Sequence, residues 1–86
     1  MAEKFLYDLV SPEKLLSSGE AEMIVIPGTD GDFGVLRGHA PIISTIRPGQ
    51  IEVHESASEI TKFYITGGVC EVSSDRCNIL ADEAIP

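Results

Sequence analysis

The chain has 86 residues, enough for one small domain but too few for a second hydrophobic core. Its 14 acidic and 6 basic residues give a net charge of −8, which argues against binding to nucleic acid or to anionic membrane surfaces. Two cysteines match no zinc-binding pattern, and neither a signal peptide nor an apolar run of membrane-spanning length is found. We therefore expect a soluble cytoplasmic domain, with no direct membrane insertion, whose partners present basic or apolar surface.

Short β-like segments separated by turn residues run through the whole chain. The predicted strands are residues 5–10, 14–18, 21–26, 33–36, 42–46, 50–55, 60–66, 69–73 and 76–81. Their spacing of about eight to ten residues is typical of an antiparallel sandwich or barrel. Helical periodicity is not sustained over about 11 residues anywhere. The sequence predicts about nine or ten strands and essentially no α-helix.

Alternation of apolar and polar residues assigns core faces in two of these strands. Ile51 and Val53 share one face of their strand, while Glu52 and His54 share the other. In the next strand the face expected to be buried carries Thr61, Phe63 and Ile65.

The two cysteines test the register of the last hairpin. A two-residue turn at Ser74 and Asp75 pairs Val72 with Cys77, so that Cys70 lies diagonally from Cys77 on the same face. That diagonal is about 7–8 Å, a spacing that strains a disulfide. A shift of one residue would pair the cysteines directly. We favour two free thiols packed as small apolar groups.

The stretch GTDGDFGVLRGHAP, residues 28–41, concentrates glycines, acids and a histidine. Its triplet Asp32-Phe33-Gly34 occurs in kinases, but a kinase needs further motifs for which the chain has no room. A calcium loop counted from Asp30 requires a glutamate at its twelfth position, which is Pro41. No Gly-Lys-Ser/Thr follows the glycines, which disfavours a phosphate site.

A hydrolytic or metal site could combine Asp30 or Asp32 with His39, but a thin sandwich offers little depth for shifting pKa values. The favoured interpretation is that glycines supply positive φ angles between short strands. These are Gly28, Gly31, Gly34 and Gly38. No catalytic residue, metal site or cofactor is predicted.

Five motifs in a fixed order carry a family resemblance. They are GDFGV (31–35), GHAP (38–41), RPG (47–49), GGVCEV (67–72) and LAD (80–82). With them the chain, from Phe5 to Ala84, resembles the N-terminal domain of the epsilon subunit of bacterial F-type ATP synthases, called delta in mitochondria. The resemblance implies an all-β fold, a ten-stranded antiparallel β-sandwich of two five-stranded sheets, as a single domain over residues 1–86.

The resemblance also implies a mechanical function. Such a subunit is non-catalytic and belongs to the central stalk, or rotor, at the cytoplasmic face of the bacterial plasma membrane. It binds the gamma subunit and the ring of c subunits, and it helps couple proton flow to ATP synthesis.

Site residues follow from matching positions. The c-ring contact falls on Asp30, Gly31 and Asp32, with Asp32 at the family's acidic position; the polar loops of the ring typically carry a basic residue, which suits an acidic tip. The positions expected near the gamma subunit or the ring are Ser11, His39, Ile42, Ile43, Ser44 and Gln50.

Two departures from the family pattern are visible. Arg37 stands where members often have proline, which affects the shape and charge of the loop. Typical bacterial members also continue into a helical hairpin that carries inhibition and, in some, a nucleotide site. This sequence ends at Pro86, either as a fragment or as a naturally short member, so we expect neither ATP binding nor self-contained inhibition.

Two alternatives remain open at this point. One is a free-standing β-sandwich that binds a soluble ligand, which an aromatic-lined groove would favour. The other is a small metal-assisted hydrolase, which requires Asp30, Asp32 and His39 to converge. An exposed apolar patch beside His39 and Ile43 would favour the rotor subunit.

Overall fold

The computed structural model describes residues 3–85, and within this range every regular element is a β-strand. The strands are β1 (Phe5–Val10), β2 (Leu15–Ala21), β3 (Met23–Gly28), β4 (Gly31–Val35), β5 (Ile42–Ile46), β6 (Gly49–His54), β7 (Ile60–Ile65), β8 (Gly68–Val72), β9 (Arg76–Ala81) and β10 (Ala84–Ile85). Each of the nine predicted segments is a strand, which confirms the all-β prediction. A search of residues 3–85 finds no helix capable of crossing a membrane.

The end of β2 is the clearest boundary error. Gly19 was predicted to stop this strand, but the strand continues to Ala21 with Gly19 paired to Tyr7 of β1. A Cβ on Gly19 would lie at an ordinary contact distance of 3.9 Å from the Tyr7 ring, but the φ of +151° is one that residues with side chains rarely adopt. Glycine therefore interrupts the row of side chains without interrupting the backbone ladder.

The ten strands form two layers of five. The first sheet contains β4, β3, β6, β7 and β10, and the second contains β5, β8, β9, β1 and β2. They are connected at one corner, where Gly28 of β3 is the single residue paired with β5, through Ile46. The predicted sandwich of two five-stranded sheets is confirmed, with the addition that hydrogen bonding is continuous from one sheet to the other.

One strand pair departs from the antiparallel prediction. β1 and β9 are parallel, with Leu6 opposite Arg76 and Val10 opposite Leu80. They come from opposite ends of the chain, so no tight hairpin forces them to run in opposite directions. The connection between them passes through most of the domain, as a parallel pair requires.

The core lies between the inner faces of the two sheets. Fully buried aliphatic side chains come from both layers, among them Leu9, Ile24, Ile51, Ile65 and Ile79. The predicted faces of β6 and β7 are confirmed, since Ile51, Val53, Phe63 and Ile65 are all buried. Thr61 is the exception: it is exposed near the start of β7, where its hydroxyl donates to the Glu55 carboxylate at 2.6 Å.

The register of the last hairpin is the one predicted. Val72 pairs with Cys77 and Cys70 pairs with Ile79, and the two buried cysteines are free thiols. Burial raises the pKa of Cys77 to about 12, with a further contribution from the neighbouring Cys70, and burial also raises the pKa of Cys70. Both thiols are therefore protonated near neutral pH and act as small apolar groups.

Candidate functional site

The residues singled out by the sequence lie at two opposite ends of the sandwich. One end, the hairpin end, holds the β3–β4 turn together with the turns that follow β1, β5, β7 and β9. The other end, the loop end, holds the connection between β4 and β5 and the β8–β9 turn. Asp30, Asp32, Ser11 and Gln50 belong to the hairpin end, whereas His39 belongs to the loop end.

This separation excludes the arrangement that a hydrolase needs. Asp32 is the second residue of β4, and the three residues of that strand that follow it, 33–35, run toward the loop of His39 and span roughly 10 Å at about 3.3 Å per residue. No group of three acidic, histidine or cysteine side chains suited to a metal ion occurs among the described residues. Asp30, Asp32 and His39 therefore do not converge.

Two different glycine roles shape the β3–β4 hairpin. Gly31 has a φ of +133°, as predicted for a turn glycine. Gly28 does not have a positive φ; instead, a Cβ there would lie 2.8 Å from the Gly31 carbonyl oxygen and 2.9 Å from the Phe33 ring. Gly34 also lacks a positive φ, so the prediction was wrong for Gly28 and Gly34 and holds for Gly31 and Gly38.

The hairpin is fastened to the end of β5. The Thr29 amide donates to the Thr45 carbonyl at 3.1 Å, and the hydroxyls of the two threonines are 2.8 Å apart. The Arg47 guanidinium contacts both the Gly28 carbonyl oxygen and the Asp32 carboxylate. These bonds place the acidic hairpin at the corner where the two sheets join.

At the loop end, short backbone bonds hold the segment between β4 and β5. The Gly38 amide donates to the Ser74 carbonyl at 2.6 Å, and the half-buried His39 ring donates from Nδ1 to the Ala40 carbonyl at 2.6 Å. Arg37 extends to the N-terminal segment, where its side chain donates to the Lys4 carbonyl at 2.9 Å and pairs with Glu3 at 3.3 Å. Arg37, which stands where family members often have proline, therefore connects this loop to the residues before β1.

Strand β5 directs its predicted contact residues to two sides. Ile42 faces inward and packs partly against the core, and Ser44, opposite Cys70, shares that face. Ile43 points outward and its side chain is 73% exposed. Of the predicted positions on this strand, Ile43 is therefore the apolar group available to a partner.

The outer face of the second sheet carries a shallow apolar groove of about 440 Å³, which we call the outer groove. Its apolar lining comes from Val10, Ile43, Val69 and Leu80 on four strands. A second depression continues from Ile43 to Pro41, next to His39. The expected apolar patch beside His39 and Ile43 is present, and neither depression is lined by an aromatic side chain.

Sequence analysis had missed Val10, Val69 and Leu80. A signal for two of them was present, because the runs FLYDLV and NILA have apolar residues at consecutive positions, which makes both faces of a strand apolar. Acidic groups border the groove at Asp8 and Glu71, and Asp8 accepts a bond from Arg76 at 3.2 Å.

The outer face of the first sheet is more polar. Its cross-strand pairs join Gln50 to Tyr64, Glu52 to Lys62 and His54 to Ile60. The His54 ring donates to the Glu52 carboxylate at 3.1 Å. Polar groups therefore separate the apolar Ile60 and Tyr64 side chains from one another.

A small sandwich with an apolar outer groove at one face and an acidic hairpin at one end has the surface features typical of a protein-interaction domain. Residues 4–86 match the family described as ATP synthase, Delta/Epsilon chain, beta-sandwich domain. The chain belongs to this family, which confirms the resemblance drawn from the motifs.

Relatives and solved structures agree with this assignment. Proteins named ATP synthase epsilon chain from Paramagnetospirillum magneticum and Rhodospirillum rubrum are 49% and 51% identical over 100% and 98% of this chain. The chain spans 65% and 63% of their lengths.

A chain in the structure of the Euglena gracilis mitochondrial ATP synthase, OSCP/F1/c-ring, is similar with a TM-score of 0.89 and 26% identity, covering 96% of this chain and 53% of that one. A chain from the Tetrahymena thermophila mitochondrial ATP synthase central stalk/c-ring has the same fold, with a TM-score of 0.79, 18% identity, and coverage of 98% and 67%.

Proposed function

We propose that this domain is a non-catalytic rotor subunit of the central stalk of a proton-translocating F-type ATP synthase. In this proposal it binds the gamma subunit and the c ring, works at the cytoplasmic face of the bacterial plasma membrane without inserting into it, and helps couple proton flow to ATP synthesis. It needs no cofactor for this task. Family membership supports the complex, and the two surfaces described above support the division of contacts.

The observation that carries the proposal is the outer groove. Ile43 and Leu80 expose 73% and 46% of their side chains in a domain that already buries a complete core. Covering apolar surface contributes about 25 cal/mol per Å², so a partner with an apolar surface would be bound favourably here. We assign this face to the gamma subunit. Ile42 and Ser44 support β5 from its inner side, and His39 lies at the margin of the face.

The hairpin end suits a different partner. Asp30 and Asp32 are both exposed, Gly31 shapes the turn between them, and Ser11 and Gln50 lie at the same end of the sandwich. Acidic groups attract basic loops and set orientation more than affinity. We assign the segment Asp30–Asp32 to the polar loops of the c ring.

Strand β5 connects the two assigned surfaces. Ile43 lies near its start, while Ile46, at its end, pairs with Gly28 beside the acidic hairpin. A load applied to the hairpin therefore reaches the gamma-facing sheet through one strand and its hydrogen bonds. This arrangement suits a subunit that transmits torque and performs no chemistry of its own.

Binding to purified gamma subunit and c ring tests the proposal directly. The chain should form a stable complex with both, whereas Ile43→Asp should weaken the gamma contact about tenfold or more, because a carboxylate would be desolvated in the groove. Ile60→Asp is the matched control on the other face, paired with His54 and away from Gln50, and should bind normally. Failure of the unaltered chain to bind either partner, or equal loss with both variants, would contradict the assignment.

A further inference from the structure

The two acids of the β3–β4 hairpin are in different electrostatic environments. Asp32 forms an ion pair with Arg47, whereas the Asp30 carboxylate has no hydrogen bond or ion pair within residues 3–85. The charge of Asp32 therefore has a counter-charge beside it, whereas none lies beside Asp30 within residues 3–85. Although they are only two residues apart, the two acids therefore interact differently with an approaching charged surface.

Arg47 does more than neutralise Asp32. Its backbone amide donates to the Pro27 carbonyl at 2.9 Å, and its guanidinium donates to the Gly28 carbonyl at 2.5 Å. With the bond to Asp32, a single residue holds three successive parts of the hairpin: the end of β3, the glycine before the turn and the start of β4. An arginine is suited to this because its planar guanidinium presents several donors in fixed directions.

The ion pair alone would be a weak restraint. The side chains of Arg47 and Asp32 are 44% and 60% exposed, and isolated surface pairs contribute little to stability. Here the pair acts together with the backbone bonds of Arg47 and with the contacts between Thr29 and Thr45. The combination orients the turn rather than stabilising the domain as a whole.

From this geometry we infer that Arg47 is a positioning residue, which uses the charge of Asp32 to fix the hairpin and leaves Asp30 as the carboxylate that selects a basic partner loop. The inference rests on the proposed function for the identity of the partner. It assigns different roles to the two acids: Asp32 fixes the shape of the loop, and Asp30 attracts the basic groups of the ring.

The salt dependence of binding to the c ring with bound gamma subunit separates these roles. Asp30→Asn should weaken binding about tenfold at low salt and flatten its salt dependence, because attraction between exposed charges is screened by salt. The neutral double variant Asp32→Asn/Arg47→Gln should keep the slope of the unaltered chain, since it removes one positive and one negative charge together.

The opposite pattern would overturn the inference. If the double variant flattens the salt dependence, the ring reads the charge of Asp32; if Asp30→Asn leaves the slope unchanged, Asp30 is not read. A loosened hairpin would lower affinity equally at all salt concentrations, so the slope distinguishes loss of shape from loss of charge.

Hydrogen exchange of the free chain tests the positioning role without any partner. Arg47→Gln should increase exchange of the Thr29 amide, which is hydrogen-bonded to β5, about tenfold, while amides in the β8–β9 pair stay unchanged. Unchanged protection of Thr29 would refute the positioning role. If the unaltered chain fails to bind the ring, the proposed function is wrong. The exchange experiment still tests the positioning role of Arg47, because it needs no partner.

Discussion

The two outer faces of the sandwich differ far more than the two inner faces. Both inner faces are apolar, because each must cover the other. Outside, the second sheet presents the outer groove, whereas the first sheet places charged pairs such as Glu52 and Lys62 between the exposed side chains of Ile60 and Tyr64. Packing of the core does not require this difference, which supports the proposed assignment of the partner to the second sheet.

The largest expected effect concerns the packing of the second sheet. Gly68 lies so close to β9 that an added Cβ would be 2.2 Å from the Leu80 carbonyl oxygen, and its φ of +154° is strained for other residues. Gly68→Ala should destabilise the domain by at least about 3 kcal/mol.

Gly34 of the first sheet provides the control for that substitution. A Cβ there meets only the Met23 sulfur, at 3.7 Å, and the φ is not positive. Gly34→Ala should change the unfolding free energy by less than about 1 kcal/mol. Urea denaturation measures both variants, and equal losses would show that strand approach in the second sheet is not the cause.

Leu80 and Ile60 test the comparison between faces most directly, because both side chains are 46% exposed and they lie on opposite outer faces. Leu80→Asp should weaken binding of the gamma subunit about tenfold or more, and Ile60→Asp by less than about twofold. Calorimetric titration gives both affinities, with circular dichroism to verify folding. Stronger loss with Ile60→Asp would move the interface to the first sheet.

The buried thiols of the second sheet should make the folding stability of the domain decrease at alkaline pH. Because folding raises the pKa of Cys77 from an ordinary value near 9 to about 12, the folded state holds the proton more tightly. The associated stability is fully present below about pH 9 and should fall by up to about 1.4 kcal/mol per pH unit between pH 9 and 12.

Denaturation at several pH values, together with ultraviolet absorbance of the thiolate, checks this alkaline loss. Cys77→Ala should be less stable at pH 7 but should lose less stability on going to alkaline pH. Val53→Ala, a buried truncation in the first sheet, should keep the alkaline loss of the unaltered chain. An identical alkaline profile for the two variants would exclude Cys77 as its source.

The smallest effect is expected at the ion pair beside the outer groove. Arg76 and Asp8 are 3.2 Å apart with 44% and 37% of their side chains exposed, so Arg76→Met should change stability by no more than about 0.5 kcal/mol. Thermal unfolding measures this change. A loss several times larger would mean that the pair contributes to packing of the second sheet, unlike an ordinary surface pair.

Local patterns predicted most of the strands and the register of one hairpin. The β8–β9 pairing followed from a two-residue turn, which fixes its neighbours by geometry, and this placed Cys70 and Cys77 correctly. Glycine was harder to interpret: Gly31 supplies a positive φ, but Gly28 is required by the nearness of Phe33. Such an approach between residues depends on how strands pack, which the local sequence does not contain.

The candidate surfaces show the same limit. The sequence located the acids, His39 and Ile43, and the motifs indicated the family, which the comparisons confirmed. It did not indicate that Asp32 would be paired with Arg47, or that Val10 and Leu80 would share a groove with Ile43. These relationships join residues of different strands and turns, and their meeting depends on how the chain folds.

The sequence by itself determined an all-β domain, its strand spacing, an acidic charge and the chemistry available to it, because these follow from local propensity and composition. Tertiary structure decided which side chains meet: the parallel contact of β1 with β9, the corner between Gly28 and Ile46, and the separation of His39 from the two acids. Such contacts arise when two sheets bury their apolar faces together, and that event fixes positions that no short segment can set alone.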